Sequence, residues 1–70
     1  MRSISLYFER ADDAADMLNN STFLSMIRDN EIVVLYDSHY NELSIKFNEP
    51  FDQRVLQAVF DLAFYYANYN

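Results

Sequence analysis

Residue types that could serve in catalysis or metal binding lie together around His39, the one histidine of the sequence. His39 follows Ser38 and lies close to Asp37 and Glu42, which places a hydroxyl, an imidazole and two carboxylates in one short segment. Catalytic triads need a nucleophile, a base and an orienting group in a fixed geometry, and adjacency in sequence does not supply that geometry. Imidazole and carboxylate suit metals, but this spacing matches no metal loop, and aspartate and asparagine are typical of turns. We therefore interpret the segment as a solvated hairpin loop.

The sequence also lacks the residues from which most catalytic motifs are built. Its 70 residues include no glycine and no cysteine. Without glycine, a phosphate-binding loop, a dinucleotide fingerprint and a nucleophile elbow cannot form in their usual way. Without cysteine there is no thiol nucleophile, no disulfide and no cysteine-ligated zinc. The prediction is a protein that is not an enzyme, with no catalytic residues, no metal site and no cofactor.

Four carboxylates near the N-terminus have the spacing of one helix face, i, i+3, i+4 and i+7. These residues, called the acidic stripe here, are Glu9, Asp12, Asp13 and Asp16. Like charges at this spacing cost a few tenths of a kcal/mol per pair, and only Arg10 is close enough in sequence to offset them. The stripe is either a solvated helix face or an electronegative surface on which a partner docks.

The C-terminal segment is rich in aromatic residues. Its aromatic tail comprises Phe64, Tyr65, Tyr66 and Tyr69. Tyrosine is favoured at interfaces because it combines a large apolar body with a polar tip. The helix predicted over residues 51–69 has an apolar arc about twice as wide as packing on one sheet requires, and it is longer than the strands. Either the first helix covers the excess, or a partner or dimer interface does so at the aromatic tail.

The hydrophobic pattern predicts the elements that position these residues. Strands with alternating apolar residues are predicted at 3–9 and 43–47, and an apolar strand, buried on both faces, at 32–36. Helical patterns cover residues 11–28, as one kinked helix or two, and residues 51–69. In the first of these helices the apolar stripe comprises Ala11, Ala14, Ala15 and Leu18.

These elements predict one α+β domain over residues 1–70. The order is β-α-β-β-α, and the simplest packing is a small three-stranded, largely antiparallel sheet with helices packed on one face. The first strand could pair with either strand of the hairpin. Residues 37–41 form the loop of that hairpin, and Pro50 ends its second strand and precedes the last helix.

The net charge of the protein limits the classes of partner that it can bind. Eleven acidic residues face five basic ones, for a net charge of −6, which argues against direct binding of nucleic acid or of an anionic membrane. No apolar run approaches the roughly 20 residues of a membrane span. The N-terminus does not read as a secretory signal, and together with the absent cysteines this favours the cytoplasm.

Two classes of function remain. The first is a small acidic inhibitor that binds a basic protein, most naturally one that handles nucleic acid, by mimicking the charge of a phosphate backbone. In size and charge alone, this resembles the type of inhibitor made by phages and mobile elements, including anti-CRISPR and anti-restriction proteins. The second is a homodimeric structural or regulatory module that associates through its aromatic C-terminal helix, with the charge serving solubility.

Overall fold

The fold is a three-stranded antiparallel sheet with three helices. The structure, a computed structural model, describes residues 1–68. Its elements in chain order are β1 (Arg2–Tyr7), α1 (Ala11–Leu18), α2 (Ser21–Asp29), β2 (Val33–Asp37), β3 (Glu42–Phe47) and α3 (Gln53–Asn68). The α+β class, the strand order along the chain and the packing of helices on one face agree with the sequence pattern. The helical region at 11–28 is two helices rather than one kinked helix.

The sheet is built around β3, which pairs antiparallel with β1 on one side and with β2 on the other. The first strand therefore pairs with the second strand of the hairpin. Alternation places Leu6, Leu43 and Ile45 on the face that the helices cover, where all three are buried. The opposite face carries no helix among the described residues.

The expectation that the second strand is buried on both faces is wrong. On the open face of the sheet, Val33 is 45% exposed and Leu35 is 52% exposed. β2 is an edge strand, and the helices cover only one face of the sheet. An apolar run is typical of strands buried between two layers, but no element of the described chain covers the open face.

The predicted apolar stripe of α1 is also partly wrong. Ala14 is buried together with Met17, whereas Ala11 and Ala15 are exposed. Burying a methionine side chain removes far more apolar surface from water than burying an alanine. α1 is therefore rotated so that Met17 enters the core, and two of the alanines point to solvent.

Asn20 separates α1 from α2 and begins the second helix. Its side-chain oxygen accepts a hydrogen bond of 3.0 Å from the backbone N–H of Phe23, which satisfies one of the unpaired donors of the first turn. Phe23, held by this cap, is fully buried in the core. The polar segment that follows α1 thus ends that helix and also caps the start of α2.

α3 begins at Gln53, two residues later than the pattern predicted. Asp52 caps it, because its Oδ1 atom accepts a 2.9 Å hydrogen bond from the backbone N–H of Arg54. Both α1 and α2 pack against this helix, and Val59 and Ala63 are fully buried. Other helices of the same chain therefore cover much of its wide apolar arc.

Two tight turns are made without glycine. Asn41 has φ 52° and Glu31 has φ 56°, both in the left-handed region. The N–H of Ile32 donates to the carbonyl of Ile27 at 3.0 Å, so α2 ends in a Schellman motif with Glu31 at the position where glycine is usual. Asparagine as a turn residue was expected, but glutamate was not.

Candidate protein-binding surfaces

The acidic stripe does not form a single exposed face. Glu9 lies before α1, because the helix begins at Ala11, and Asp12 and Asp16 are exposed on the helix. Asp13 is only 9% exposed. Its Oδ2 atom lies 3.6 Å from Nε of Arg10 and has no hydrogen-bond partner among the described residues. Three members of the stripe, Glu9, Asp12 and Asp16, therefore remain accessible to a partner.

Ion pairs show where the uncompensated charge lies. Each arginine is within 4.0 Å of a carboxylate, in the pairs Arg2–Glu49, Arg10–Asp13, Arg28–Asp29 and Arg54–Asp52. Within residues 1–68, which contain all eleven acidic and all five basic side chains, removing these four pairs leaves seven carboxylates and one cationic side chain, Lys46. The seven are Glu9, Asp12, Asp16, Glu31, Asp37, Glu42 and Asp61.

Two of these seven carboxylates, Asp37 and Glu42, lie at one end of the sheet, and three more, Glu9, Asp12 and Asp16, follow in the chain where β1 leaves that end. The antiparallel register brings the end of β1, the end of β2 and the start of β3 together, with Tyr7, Asp37 and Glu42 in one row. The N–H of Phe8 donates to the carbonyl of Asn41 at 2.8 Å, and α1 starts three residues later. This acidic end comprises Glu9, Asp12, Asp16, Asp37 and Glu42.

The row at the acidic end places two negative charges side by side. Asp37 lies directly opposite Glu42, an arrangement that destabilises a sheet when both are ionised. The Tyr7 hydroxyl donates a 3.2 Å hydrogen bond to Oε2 of Glu42. That hydrogen bond, together with the negative charge of Glu42, raises the pKa of Tyr7 above its ordinary value. The tyrosine thus remains a neutral donor to this carboxylate.

Asp37 and Glu42 were the residues that sequence reasoning did not join to the acidic stripe. They are more than twenty positions from it in sequence, and only the strand register brings them to the same end. The alternating residues 43–47 and the preceding turn indicate that Asp37 and Glu42 flank a hairpin loop. Placing that loop beside the acidic stripe also requires knowing that β1 pairs with β3. In the sequence, Asp37 and Glu42 stand on either side of His39, and their residue types suit metal ligation instead.

The hairpin loop is exposed, as its interpretation as a solvated loop predicted. Asp37 Oδ1 accepts a 2.9 Å hydrogen bond from the backbone N–H of His39, an Asx turn. The imidazole ring packs edge-on against Tyr40, with 4.6 Å between ring centroids. Within residues 1–68, no three histidine, aspartate or glutamate side chains are arranged so that they could hold a metal ion.

The aromatic tail is divided between surface and core. Phe64 is 44% exposed and Tyr65 is 56% exposed. Tyr66 is half-buried, and its hydroxyl accepts a 3.0 Å hydrogen bond from Nδ2 of Asn20, so it joins α3 to the α1–α2 junction. Tyr69 lies outside the described residues.

Two concave regions flank α3. An open groove of about 480 Å³ runs between α2 and α3 and is lined mainly by apolar atoms. Its lining residues are Thr22, Met26, Ala58, Asp61, Leu62 and Tyr65. A second cavity of about 440 Å³ lies at the start of α3, beside the Arg2–Glu49 ion pair.

None of the helices in the described chain combines the length and the apolar character that crossing a membrane requires. Comparison with family models, with curated proteins and with solved structures gave no match. Function is therefore inferred from the residues and their geometry.

Proposed function

We propose that this protein is a small, non-catalytic, acidic binding module that occupies a basic site on a nucleic-acid-handling protein and inhibits it. The observation that carries the proposal is the acidic end. It comprises five carboxylates without arginine partners: two in β2 and β3 at the end of the sheet, and three in the chain that continues from β1 into α1. The site of action is the cytoplasm, where nucleic-acid-handling enzymes work.

The physical basis is the match between a cluster of exposed carboxylates and a groove lined with lysine and arginine. Such grooves bind the regularly spaced charges of a phosphate backbone, and the acidic end competes for the same cations. Exposed charges of this kind mainly accelerate association. The protein is then an inhibitor of the type that phages and mobile elements direct against restriction and CRISPR nucleases.

Displacement from DNA is the direct test. A lysate of the organism that carries the gene is bound to double-stranded DNA-cellulose, and the column is eluted with the purified chain. We expect the chain to release a specific DNA-binding protein. Binding of that protein to the chain should weaken steeply as NaCl rises, because charges at an exposed interface are screened over about 8 Å at physiological ionic strength.

A matched pair of variants locates the surface. Asp12→Asn with Asp16→Asn removes two charges from the acidic end, whereas Glu31→Gln with Asp61→Asn removes two uncompensated charges elsewhere. We expect the first variant to associate much more slowly and the second to resemble the wild type. Release of no protein from the column contradicts the proposal. Equal weakening by both variants would mean that net charge, and not the acidic end, drives binding.

A second candidate function is a homodimeric structural or regulatory module joined through α3. The exposed rings of Phe64 and Tyr65 favour it, since aromatic side chains are enriched at interface cores. The test is sedimentation of the Phe64→Ser, Tyr65→Ser variant. Dissociation of a wild-type dimer by this change, in a chain that keeps its helical circular dichroism, supports the candidate, and an unchanged sedimentation coefficient contradicts it.

A further inference from the structure

The outer edge of β2 is the least protected part of the sheet. β2 pairs only with β3, so the N–H and C=O groups on its other side have no strand partner among the described residues. Natural edge strands are usually protected by lysine, proline, a bulge or a covering segment. The β2 sequence Val-Val-Leu-Tyr-Asp contains neither lysine nor proline. Its only charge, Asp37, is at its end.

Burial decreases toward this edge on both faces of the sheet. On the covered face, Leu43 and Ile45 of β3 are fully buried, but Val34 and Tyr36 of β2 are only half-buried. On the open face, Leu35 is more than half exposed. The other edge strand, β1, presents Ser3 and Ser5 on its open face instead. β2 is therefore the edge that gains most from a partner.

We propose that a second copy of this chain pairs with the outer edge of β2, so that two three-stranded sheets form one six-stranded antiparallel sheet. The register follows from the strand itself. Antiparallel pairing about a two-fold axis at Leu35 uses all five residues of β2 and keeps the helices of both copies on the same side. Val33 then lies opposite Asp37 of the partner copy, and Leu35 lies opposite its own equivalent.

Charge complementarity supports this occupant. On the open face, residues paired across the strands form rows that end at β2. One row contains Lys46 and ends at Val33, and another contains Glu42 and ends at Asp37. The two-fold axis continues each Lys46 row into the Asp37 and Glu42 row of the other copy. Lys46 and Asp37 of the second copy are then two strand spacings apart, about 10 Å between Cα atoms. Long side chains can span most of that distance. Lys46, which has no carboxylate within 4.0 Å among the described residues, thereby approaches the carboxylates that repel one another.

Sedimentation equilibrium of two lysine variants tests the edge. Leu35→Lys places a charge on the proposed interface, and Ser5→Lys makes a lysine substitution on the same face at the far edge. We expect the wild type and Ser5→Lys to sediment at twice the 8.3 kDa chain mass and Leu35→Lys at the chain mass. A wild type that stays monomeric at high concentration contradicts the proposal. So does a dimer that survives Leu35→Lys or dissociates equally in both variants.

Hydrogen exchange of the wild-type chain tests the same edge without a mutation. We expect amide protection within residues 33–37 to increase with protein concentration, while protection in α3 remains constant. Concentration-dependent protection confined to α3 would place the dimer at the aromatic tail and overturn the proposal.

A charge exchange tests the register. Lys46→Glu replaces two attractive charge interactions across the interface with repulsive ones, and we expect the dimer dissociation constant to rise about tenfold. Adding Asp37→Lys restores the opposite signs and should recover most of that loss. Failure of the second change to restore dimerisation, with the fold intact by circular dichroism, contradicts the proposed register.

Discussion

At the scale of single residues, Asn20 has two roles. Its oxygen caps α2 by accepting from the N–H of Phe23, and its amide nitrogen donates to the hydroxyl of Tyr66 on α3. One side chain therefore fixes both the start of a helix and the position of that helix against its neighbour.

We predict that Asn20→Ala lowers the free energy of unfolding by about 1–2 kcal/mol, since loss of a cap alone costs about 1 kcal/mol and the Tyr66 hydroxyl also loses its donor. Asn20→Ser keeps a capping oxygen, and Tyr66→Phe removes only the hydroxyl. In urea denaturation, both variants should lose less free energy of unfolding than Asn20→Ala. If Asn20→Ser costs as much as Asn20→Ala, the cap is not the main contribution.

Tyr7 and Glu42 give a prediction about pH. The Glu42 carboxylate raises the pKa of Tyr7 above 10.0, so the folded chain holds this proton more tightly than the unfolded chain. The contribution to stability is fully present below pH 10 and is lost as the pH rises through the folded pKa of Tyr7. We predict that NMR titration of the Tyr7 ring carbons gives a pKa above the ordinary tyrosine value. Glu42→Gln should lower the pKa of Tyr7, and a pKa unchanged by that variant would contradict this assignment.

At the scale of elements, the packing of α1 and α2 on α3 depends on small residues. Ala14 and Ala63 are fully buried, and α3 is the element that both preceding helices contact. Small side chains allow the helices to approach closely, because a dense interior leaves no space for extra methylene groups.

We predict that Ala63→Leu destabilises the domain by about 1–3 kcal/mol through overpacking. Ala58→Leu makes the same chemical change at an exposed position of the same helix and should change stability by no more than about 0.5 kcal/mol. Thermal and urea denaturation of the two variants provide the comparison. Equal effects would mean that the helix interface adapts to larger side chains.

The elements also show which features sequence patterns can and cannot predict. β1 and β3 were predictable because one face of each is covered, so burial alternates along the strand. β2 was predictable as a strand, but its burial was not, because an apolar run does not reveal whether a second layer covers the strand. The rotation of α1 depended on Met17 reaching a core built by distant elements. Predicting the acidic end required the strand register, because α1, α2 and β2 lie between Glu9 and Glu42 in the sequence.

At the scale of the whole molecule, charge opposes compactness. The longest extent of the protein is 32 Å. At 0.01 M ionic strength the Debye length is about 30 Å, and at 1 M it is about 3 Å. In dilute buffer, each uncompensated carboxylate therefore interacts with nearly all the others.

We predict that the free energy of unfolding of the monomer rises as NaCl increases from low concentration, because salt screens this repulsion. Asp37→Asn with Glu42→Gln should be more stable than the wild type in dilute buffer and should respond less to salt. The control Glu31→Gln with Asp61→Asn has the same net charge and should keep more of the salt dependence. Identical salt responses in the two variants would mean that the charges at the acidic end are not closely coupled.

The left-handed turns at Glu31 and Asn41 also have a consequence for the unfolded chain. Glycine is the residue with the most backbone freedom to lose on folding, and this sequence makes both turns without it. The left-handed conformation costs roughly 1–2 kcal/mol at a residue such as Glu31. A non-glycine residue restricts the denatured ensemble, but the gain of about 0.4–1 kcal/mol is realised only where the native conformation is unstrained. At Glu31 it is therefore smaller than the cost of the left-handed conformation, and the packing of this short chain has to offset the difference.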